Sequence, residues 1–177
     1  MKLNVVARER LYKGFLKLET LKIKLPNGKE IFREVIKKKN VIAILPVTKE
    51  GEVYLTSQPR AGVNNLHSIE IPAGIIEESE NPEEAAEREL SEETGCVLTE
   101  KFISLGTFVG DPACCTSTTH LFLALNVEKR GEPHLDPDEY LESFKKPIDA
   151  VYAMLEAGEI RDANSIIALE RARKYFS

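Results

Sequence analysis

The sequence predicts a mixed α/β domain that carries a small antiparallel β unit at its amino end. Three observations lead there. The first forty residues alternate apolar and polar positions around a turn signal, the middle holds short apolar runs of strand length, and the chain closes on helical periodicity.

Taken in order, "FLKLETLKIKL" alternates, "PNGK" is a hairpin turn signal and "EIFREVIKK" alternates again, which makes residues 1–40 an antiparallel unit. "NVIAILPV" reads as a more apolar strand, "TKEGE" as a turn, "VYLTSQ" as a strand, and "SIEIPAG" as a short strand running into a glutamate-rich segment. "FISLGTFV" and "THLFLALNV" add two strands, the second apolar enough to be central in a sheet. A loop, "GEPHLDPDE", precedes helical periodicity in "PIDAVYAMLEAG" and "NSIIALERARKYF". Residues 41–177 are therefore read as one domain in which helices cover a sheet. Strands and helices alternate too irregularly for a fully parallel doubly wound arrangement.

Composition narrows the function. The 177 residues, 42% apolar, suffice for one sizeable core and a small appendage. Lys and Arg total 24 against 29 Asp and Glu, for a net charge of -5, and the basic residues form no stripe that could track a phosphate backbone, so nucleic acid is not an expected partner. No segment approaches the roughly 20 consecutive apolar residues of a membrane span, and "MKLNVVARERLYKG" breaks into charges too soon for a signal peptide. A cytoplasmic protein with no membrane partner is expected. Cys96, Cys114 and Cys115 are an odd count without a CxxC pair, so they read as buried or neutral thiols rather than a disulfide framework or a zinc site. Neither G-x-G-x-x-G nor G-x-x-x-x-G-K-[ST] occurs.

The informative stretch is "EEAAERELSEETG", Glu83 to Gly95, with six glutamates and one arginine. Asn81 suits an N-cap, Pro82 the first helical position, Glu84 a capping box and Gly95 a C-terminal stop. At about 100° per residue, Glu89 and Glu93 lie about 40° apart, with Glu92 about 60° to the other side of Glu89. Arg88 stands four residues from both Glu84 and Glu92, a spacing that predicts pairing with those two and leaves Glu89 and Glu93 unpaired. Glu92 and Glu93 oppose the negative end of the helix dipole, which costs about 0.3–1 kcal/mol. A divalent cation reverses that sign, since Mg²⁺ takes oxygen ligands.

The loop leading in adds the rest of a pattern. Gly74, five residues, Glu80, seven residues, then Arg88-Glu89-Leu90-Ser91-Glu92-Glu93-Thr94-Gly95 resembles the G-x5-E-x7-R-E-U-x-E-E-x-G-U box of the Nudix hydrolases, in which U is a bulky aliphatic residue. Only the last position departs, with Cys96 where the box has an aliphatic side chain. The resemblance implies an α/β/α sandwich with a mixed sheet. It also implies a divalent metal, Mg²⁺ or in its place Mn²⁺, held by Glu89, Glu93, Glu92 and the Ala73 carbonyl, with Glu80 and Arg88 as the pair that orients the helix. "SQPR", "IEIPAG", the amino-terminal strands and "AVYAMLEAGEIRDANSIIALERA" resemble the ADP-ribose pyrophosphatase branch, as does Pro112, sixteen positions beyond Cys96. That branch implies hydrolysis of ADP-ribose or another nucleoside diphosphate sugar, Arg60 and Glu70 as cleft residues, and a homodimer through the amino-terminal strands. An unpaired strand edge gives independent motive for such pairing.

One departure matters. Where the branch carries P-G-x-x-D-E, this chain reads "PACCTST", with Ala113 for the glycine, Thr116 for the aspartate and Ser117 for the glutamate. A hydroxyl does not do a carboxylate's work near neutral pH unless it is activated. Three explanations stay open: another acid such as Asp111, Asp138 or Glu139 swings in, metal-bound hydroxide attacks with no base, or the protein binds its ligand and turns it over poorly. The alternative substrates are GDP-mannose or another nucleotide sugar. The alternative of another class is a non-catalytic nucleotide sensor.

Overall fold

The computed structural model describes residues 4–12, 14, 16–63, 66–135, 137 and 139–176. The chain forms two compact units, one of residues 1–40 and 108–118, the other of residues 41–107 and 119–177.

In the first unit β1 (Asn4–Arg10), β2 (Lys17–Lys24) and β3 (Glu30–Lys37) make a three-stranded antiparallel sheet in that order. The β2–β3 turn is closed by the Leu25 amide donating to the Lys29 carbonyl at 2.8 Å, with Gly28 at φ +81°. Alternation does not disclose β1. All seven of its residues are exposed, so it carries no inside–outside pattern to read. The 108–118 segment lies along the end of β3, where the Ile36 amide donates to the Cys114 carbonyl at 2.7 Å and the Thr116 amide to the Ile36 carbonyl at 3.2 Å.

The second unit is built on β4 (Val41–Val47), β5 (Glu52–Arg60), β6 (Leu66–Glu70), β7 (Ala73–Ile75), β9 (Ile103–Phe108), β10 (Thr119–Leu125) and β12 (Glu142–Pro147), with β8 (Cys96–Val97) and β11 (Glu128–Lys129) as a separate small pair. The main sheet runs β12-β5-β4-β10-β9, with β6 paired to β5 and β7 to β4. It is mixed. β10 lies parallel to β4, from Thr119 opposite Val41 to Leu125 opposite Val47, whereas β12, β6 and β7 pair antiparallel with their neighbours.

Helix α1 (Pro82–Thr94) packs on β4 and β7, α2 (Ile148–Glu156) on β12 and β5, and α3 (Ala163–Ala172) on β4 and β10. Ala85, Ala86 and Leu90 of α1 share one core cluster with Ile42, Ile44, Phe122 and Ala124. The intervening Ala43, Leu45, Leu121 and Leu123 are equally buried and, by strand alternation, point to the opposite face, where α3 buries Ala168, Leu169 and Ala172. The two central strands are thus covered on both sides, an α/β/α sandwich. Burial on both sides is why "VIAIL" and "LFLAL" read as continuous apolar runs. Each such Leu or Ile contributes about 1.5–3 kcal/mol by leaving water. Cys96 is 0% exposed inside the same cluster, filling the place of the aliphatic residue it replaces.

α1 begins and ends as its sequence predicts. Asn81 Oδ1 accepts from the Glu83 and Glu84 amides at 2.9 and 3.1 Å, and Glu84 Oε2 accepts from the Asn81 amide at 2.9 Å. Gly95 at φ +69° closes the helix with its amide on the Ser91 carbonyl at 2.8 Å. A side chain at Gly95 would also overlap the Gly131 carbonyl, so both conformation and space demand glycine there. Gly95→Ala is expected to lower stability by about 2 kcal/mol or more in denaturant unfolding. A loss below about 0.5 kcal/mol would show that neither constraint acts.

Candidate active site

The site grows from α1 and the strands it crosses. Arg88, 30% exposed, uses all five of its N–H donors. Nε and Nη2 grip Glu80 Oε1 and Oε2 at 2.7 and 3.0 Å, Nη2 also reaches the Ile75 carbonyl at 3.0 Å, and Nη1 bridges Glu89 Oε1 at 2.7 Å and Glu92 Oε2 at 2.9 Å. The Glu80–Arg88 pair expected from the sequence is therefore present. The predicted Arg88–Glu84 pair is not, and Glu89 is paired. The capping box claims the Glu84 carboxylate, and an Arg88 fork anchored on Glu80 presents Nη1 to Glu89 and Glu92 instead.

Glu93 points the other way. It is 4% exposed, its Oε2 accepts from the Ala73 amide at 3.1 Å, and it makes no ion pair among the described residues. Burial, then the neighbouring negative charge of Glu89, pushes its carboxyl up to about 9 from an ordinary 4.5. Glu89 is pushed up by burial, with Arg88 opposing. Glu80 is held down to about 2 by the Arg88 hydrogen bonds. The negative charge of Glu139, in the "GEPHLDPDE" loop, is a lesser contribution that raises both Glu89 and Glu93. Asp138 lies outside the described residues, and Asp111 belongs to the first unit.

Gly74 on β7 faces the same carboxylates. A side chain there would overlap the Glu89 carboxyl, so its absence is what lets Glu89 lie against the strand. The donor set is oxygen only, as a hard divalent cation requires, and a cation here would offset the repulsion among Glu89, Glu93 and Glu139. Arg88 Nη1 occupies Glu89 Oε1 and Glu92 Oε2, two of the oxygens that a cation would take.

Beside them Arg60, at the end of β5, donates from Nε and Nη2 to Glu70 Oε1 and Oε2 at 3.0 and 2.6 Å, and Gln58 Nε2 reaches Glu70 Oε2 at 3.4 Å. Both residues predicted as cleft groups thus stand together as an ion pair, with Glu70 6% exposed. They line a cavity of about 420 Å³ with His67, Ser68, Arg161 and Asn164. Pro112 lies in the first unit.

Sequence reasoning missed Asp162 and Ser165. Asp162 caps α3, accepting from the Ser165 amide and hydroxyl at 2.8 Å each, and the fully buried Ser165 Oγ accepts from the Ile71 amide at 2.9 Å. "DANS" is a helix-start signal, but its reach to a strand end 94 residues away leaves no trace in local sequence.

Two outcomes follow. Between about 4.5 and 9 the folded, metal-free chain binds a proton at Glu93 that the unfolded chain has released, so this contribution is complete below about 4.5 and lost as pH rises through about 9. In chelator, the melting temperature of Glu93→Gln relative to the parent should rise steadily from pH 5 to pH 9; a pH-independent difference would refute the assignment. Gly74→Ala should fold with its melting temperature nearly unchanged, because only the flexible end of Glu89 must move, yet bind divalent cations at least about tenfold more weakly by calorimetry.

The comparisons with known proteins agree with this geometry. Residues 37–169 match the NUDIX domain. The chain is 33% identical over 169 residues to an ADP-ribose pyrophosphatase of Bacillus subtilis, covering 94% of this chain and 90% of that one. It is 30% identical over 171 residues to a methanol dehydrogenase activator of Bacillus methanolicus, with the same two coverages. A solved structure described as an ADP compounds hydrolase superposes with a TM-score of 0.85 at 21% identity, covering 99% of this chain and 95% of that one, which is a likeness of fold. No helix among the described residues is long and apolar enough to cross a membrane. The chain belongs to the Nudix family, as a hydrolase homologous to the ADP-ribose pyrophosphatases.

Proposed function

We propose that this protein hydrolyses the pyrophosphate bond of ADP-ribose or a related nucleoside diphosphate sugar in the cytoplasm, giving a nucleoside monophosphate and a sugar phosphate. The observation that carries the reading is Glu93, a buried carboxylate with no ion pair among the described residues, pushed up by burial and by the negative charge of Glu89, on a helix whose last turn holds no basic residue. The B. subtilis relative named as an ADP-ribose pyrophosphatase supports the choice of substrate.

Glu89, Glu92, Glu93 and the Ala73 carbonyl would hold Mg²⁺, or Mn²⁺ in its place. When bound, the cation supplies Lewis-acid polarisation of the pyrophosphate and lowers the pKa of a nearby water. The chain's own residues do the rest. Arg88, still gripped by Glu80, keeps the helix in place while yielding Glu89 and Glu92. Arg60, 47% exposed, shares its guanidinium between Glu70 and a substrate phosphate. Glu139 takes the proton of the attacking water, the role left open by Thr116 and Ser117. Gly74 leaves room for Glu89, and Pro112 shapes the loop it opens. A homodimer through the amino-terminal strands is in keeping with Val5, Val6 and Phe32 exposed on the three-stranded sheet.

The second reading, a nucleotide-binding regulator with little turnover, is favoured by the likeness to the B. methanolicus activator. One assay separates them. With Mg²⁺ and a panel that includes ADP-ribose and GDP-mannose, the parent should turn over at least one member, Glu93→Gln should lose about a thousandfold or more in kcat/KM, and Glu139→Gln should lose about a hundredfold in kcat with little change in KM. Binding of ADP-ribose without turnover of any panel member would establish the regulator instead, and a fully active Glu93→Gln would remove the basis of the hydrolytic site.

A further inference from the structure

The first unit brings together a second set of ligating groups that the hydrolytic site does not use. Asp111, Cys114 and Cys115 each place one donor atom within 4.8 Å of the other two. The Cys114 thiol donates to Asp111 Oδ2 at 2.7 Å, and Asp111 Oδ1 accepts from the Ala113 amide at 3.2 Å. Asp111 is exposed and both thiols are half-buried, so the cluster is open on one side.

The backbone around it is already fixed. The Cys115 amide donates to the Asp111 carbonyl at 2.8 Å, the Ile36 amide to the Cys114 carbonyl, and the Thr116 amide to the Ile36 carbonyl. Thr116 Oγ1 accepts from the Lys38 amide at 3.1 Å, and Asn40 Oδ1 accepts from the Thr118 amide at 3.0 Å. The turn holding the three donors is therefore laced to β3 and the residues after it. Lys38 lies near enough for its charge to act on Asp111.

Adjacent thiols invite a disulfide, but geometry disfavours one. Consecutive Cα atoms are about 3.8 Å apart, whereas disulfides span about 4.4–6.8 Å. Both sulfurs thus stay available beside the carboxylate. Two thiolates and one carboxylate with an open fourth position form the donor set of a thiophilic, tetrahedral cation rather than of Mg²⁺, which takes oxygen.

We propose that Asp111, Cys114 and Cys115 bind one thiophilic divalent cation, zinc being the physiological case, at a site separate from the glutamate box. Zinc displaces the two thiol protons, forms two Zn–S bonds and one Zn–O bond, and takes water in the fourth position. Lys38 offsets part of the remaining negative charge. The site does not depend on the hydrolase reading, since no residue is shared.

The test uses the full chain, reduced, freed of metal and then held in excess Mg²⁺, titrated with Zn²⁺ and separately with Co²⁺. One equivalent of Zn²⁺ should bind by calorimetry, and Co²⁺ should give thiolate-to-metal charge-transfer absorption. Cys114→Ser and Cys115→Ser should each at least halve that absorption at saturating Co²⁺ and weaken binding about a hundredfold or more, Asp111→Asn about tenfold, while Glu93→Gln binds like the parent. Zn²⁺ should also shield Cys114 and Cys115 of the unmutated chain from alkylation, read by mass spectrometry, which needs no variant to fold. The proposal falls if no charge-transfer absorption appears, if both cysteine variants bind Zn²⁺ as the parent does, or if Glu93→Gln is the variant that loses it.

Discussion

One guanidinium group holds the loop, the strand and the helix of the glutamate motif in register. Arg88 has five donors and meets five acceptors: two on Glu80, one on the Ile75 carbonyl and one each on Glu89 and Glu92. No other side chain can do this. Lysine offers three donors on a single nitrogen without a planar fork, so it could hold Glu80 or the two helix acids but not both with the strand. The arrangement also explains how a helix tolerates acids at its carboxyl end. Arg88 already stands where part of that charge is neutralised, and Glu93, which it does not reach, is the group whose carboxyl is pushed up.

The same economy shapes the three residues the motif faces. The Ile71 amide is taken by Ser165 from α3, the Pro72 carbonyl accepts from Ile44 of the central strand at 2.9 Å, and the Ala73 amide is taken by Glu93 from α1. Proline at 72 brings no N–H that would need a partner. A segment of three residues is thus pinned from both helix layers and from the sheet between them. Glu70 and Gly74 flank this segment at its two ends.

What the sequence disclosed and what it concealed divide by range. The capping box, the αL stop at Gly95 and the spacing of Glu89, Glu92 and Glu93 are local, and each was legible because helix geometry converts spacing into direction. The apolar run of β10 announced its place at the sheet centre, and that of β4 announced only a strand more apolar than those before it. Contacts set by strand register or by distant segments were not legible. Arg60 meets Glu70 because β5 and β6 pair antiparallel with Thr56 opposite Glu70 and Arg60 opposite Leu66, and nothing in either strand states that register. Ser165 reaches Ile71 only once α3 is folded onto the sheet. β12 escaped because its mixed exposure, with three charged residues in six, hides the alternation of an edge strand.

The loop "PACCTST" shows how a substitution can mislead when position is equated with role. Ser117 stands where the related branch carries the glutamate expected as base, and beside it Thr116 stands in the place of the aspartate. The Thr116 hydroxyl instead accepts from the Lys38 amide and donates to the Lys38 carbonyl, and its amide is bonded to Ile36, so the residue is committed to the backbone of its own unit. An acid placed there would lose the donor half of that pairing and set a carboxylate against the Lys38 carbonyl. The carboxylate whose charge does reach Glu89 and Glu93 comes from Glu139, on a different loop. Apart from Pro112, the 108–118 turn carries none of the groups assigned to the pyrophosphate, and its two thiols and one aspartate together make a donor set suited to a softer ion.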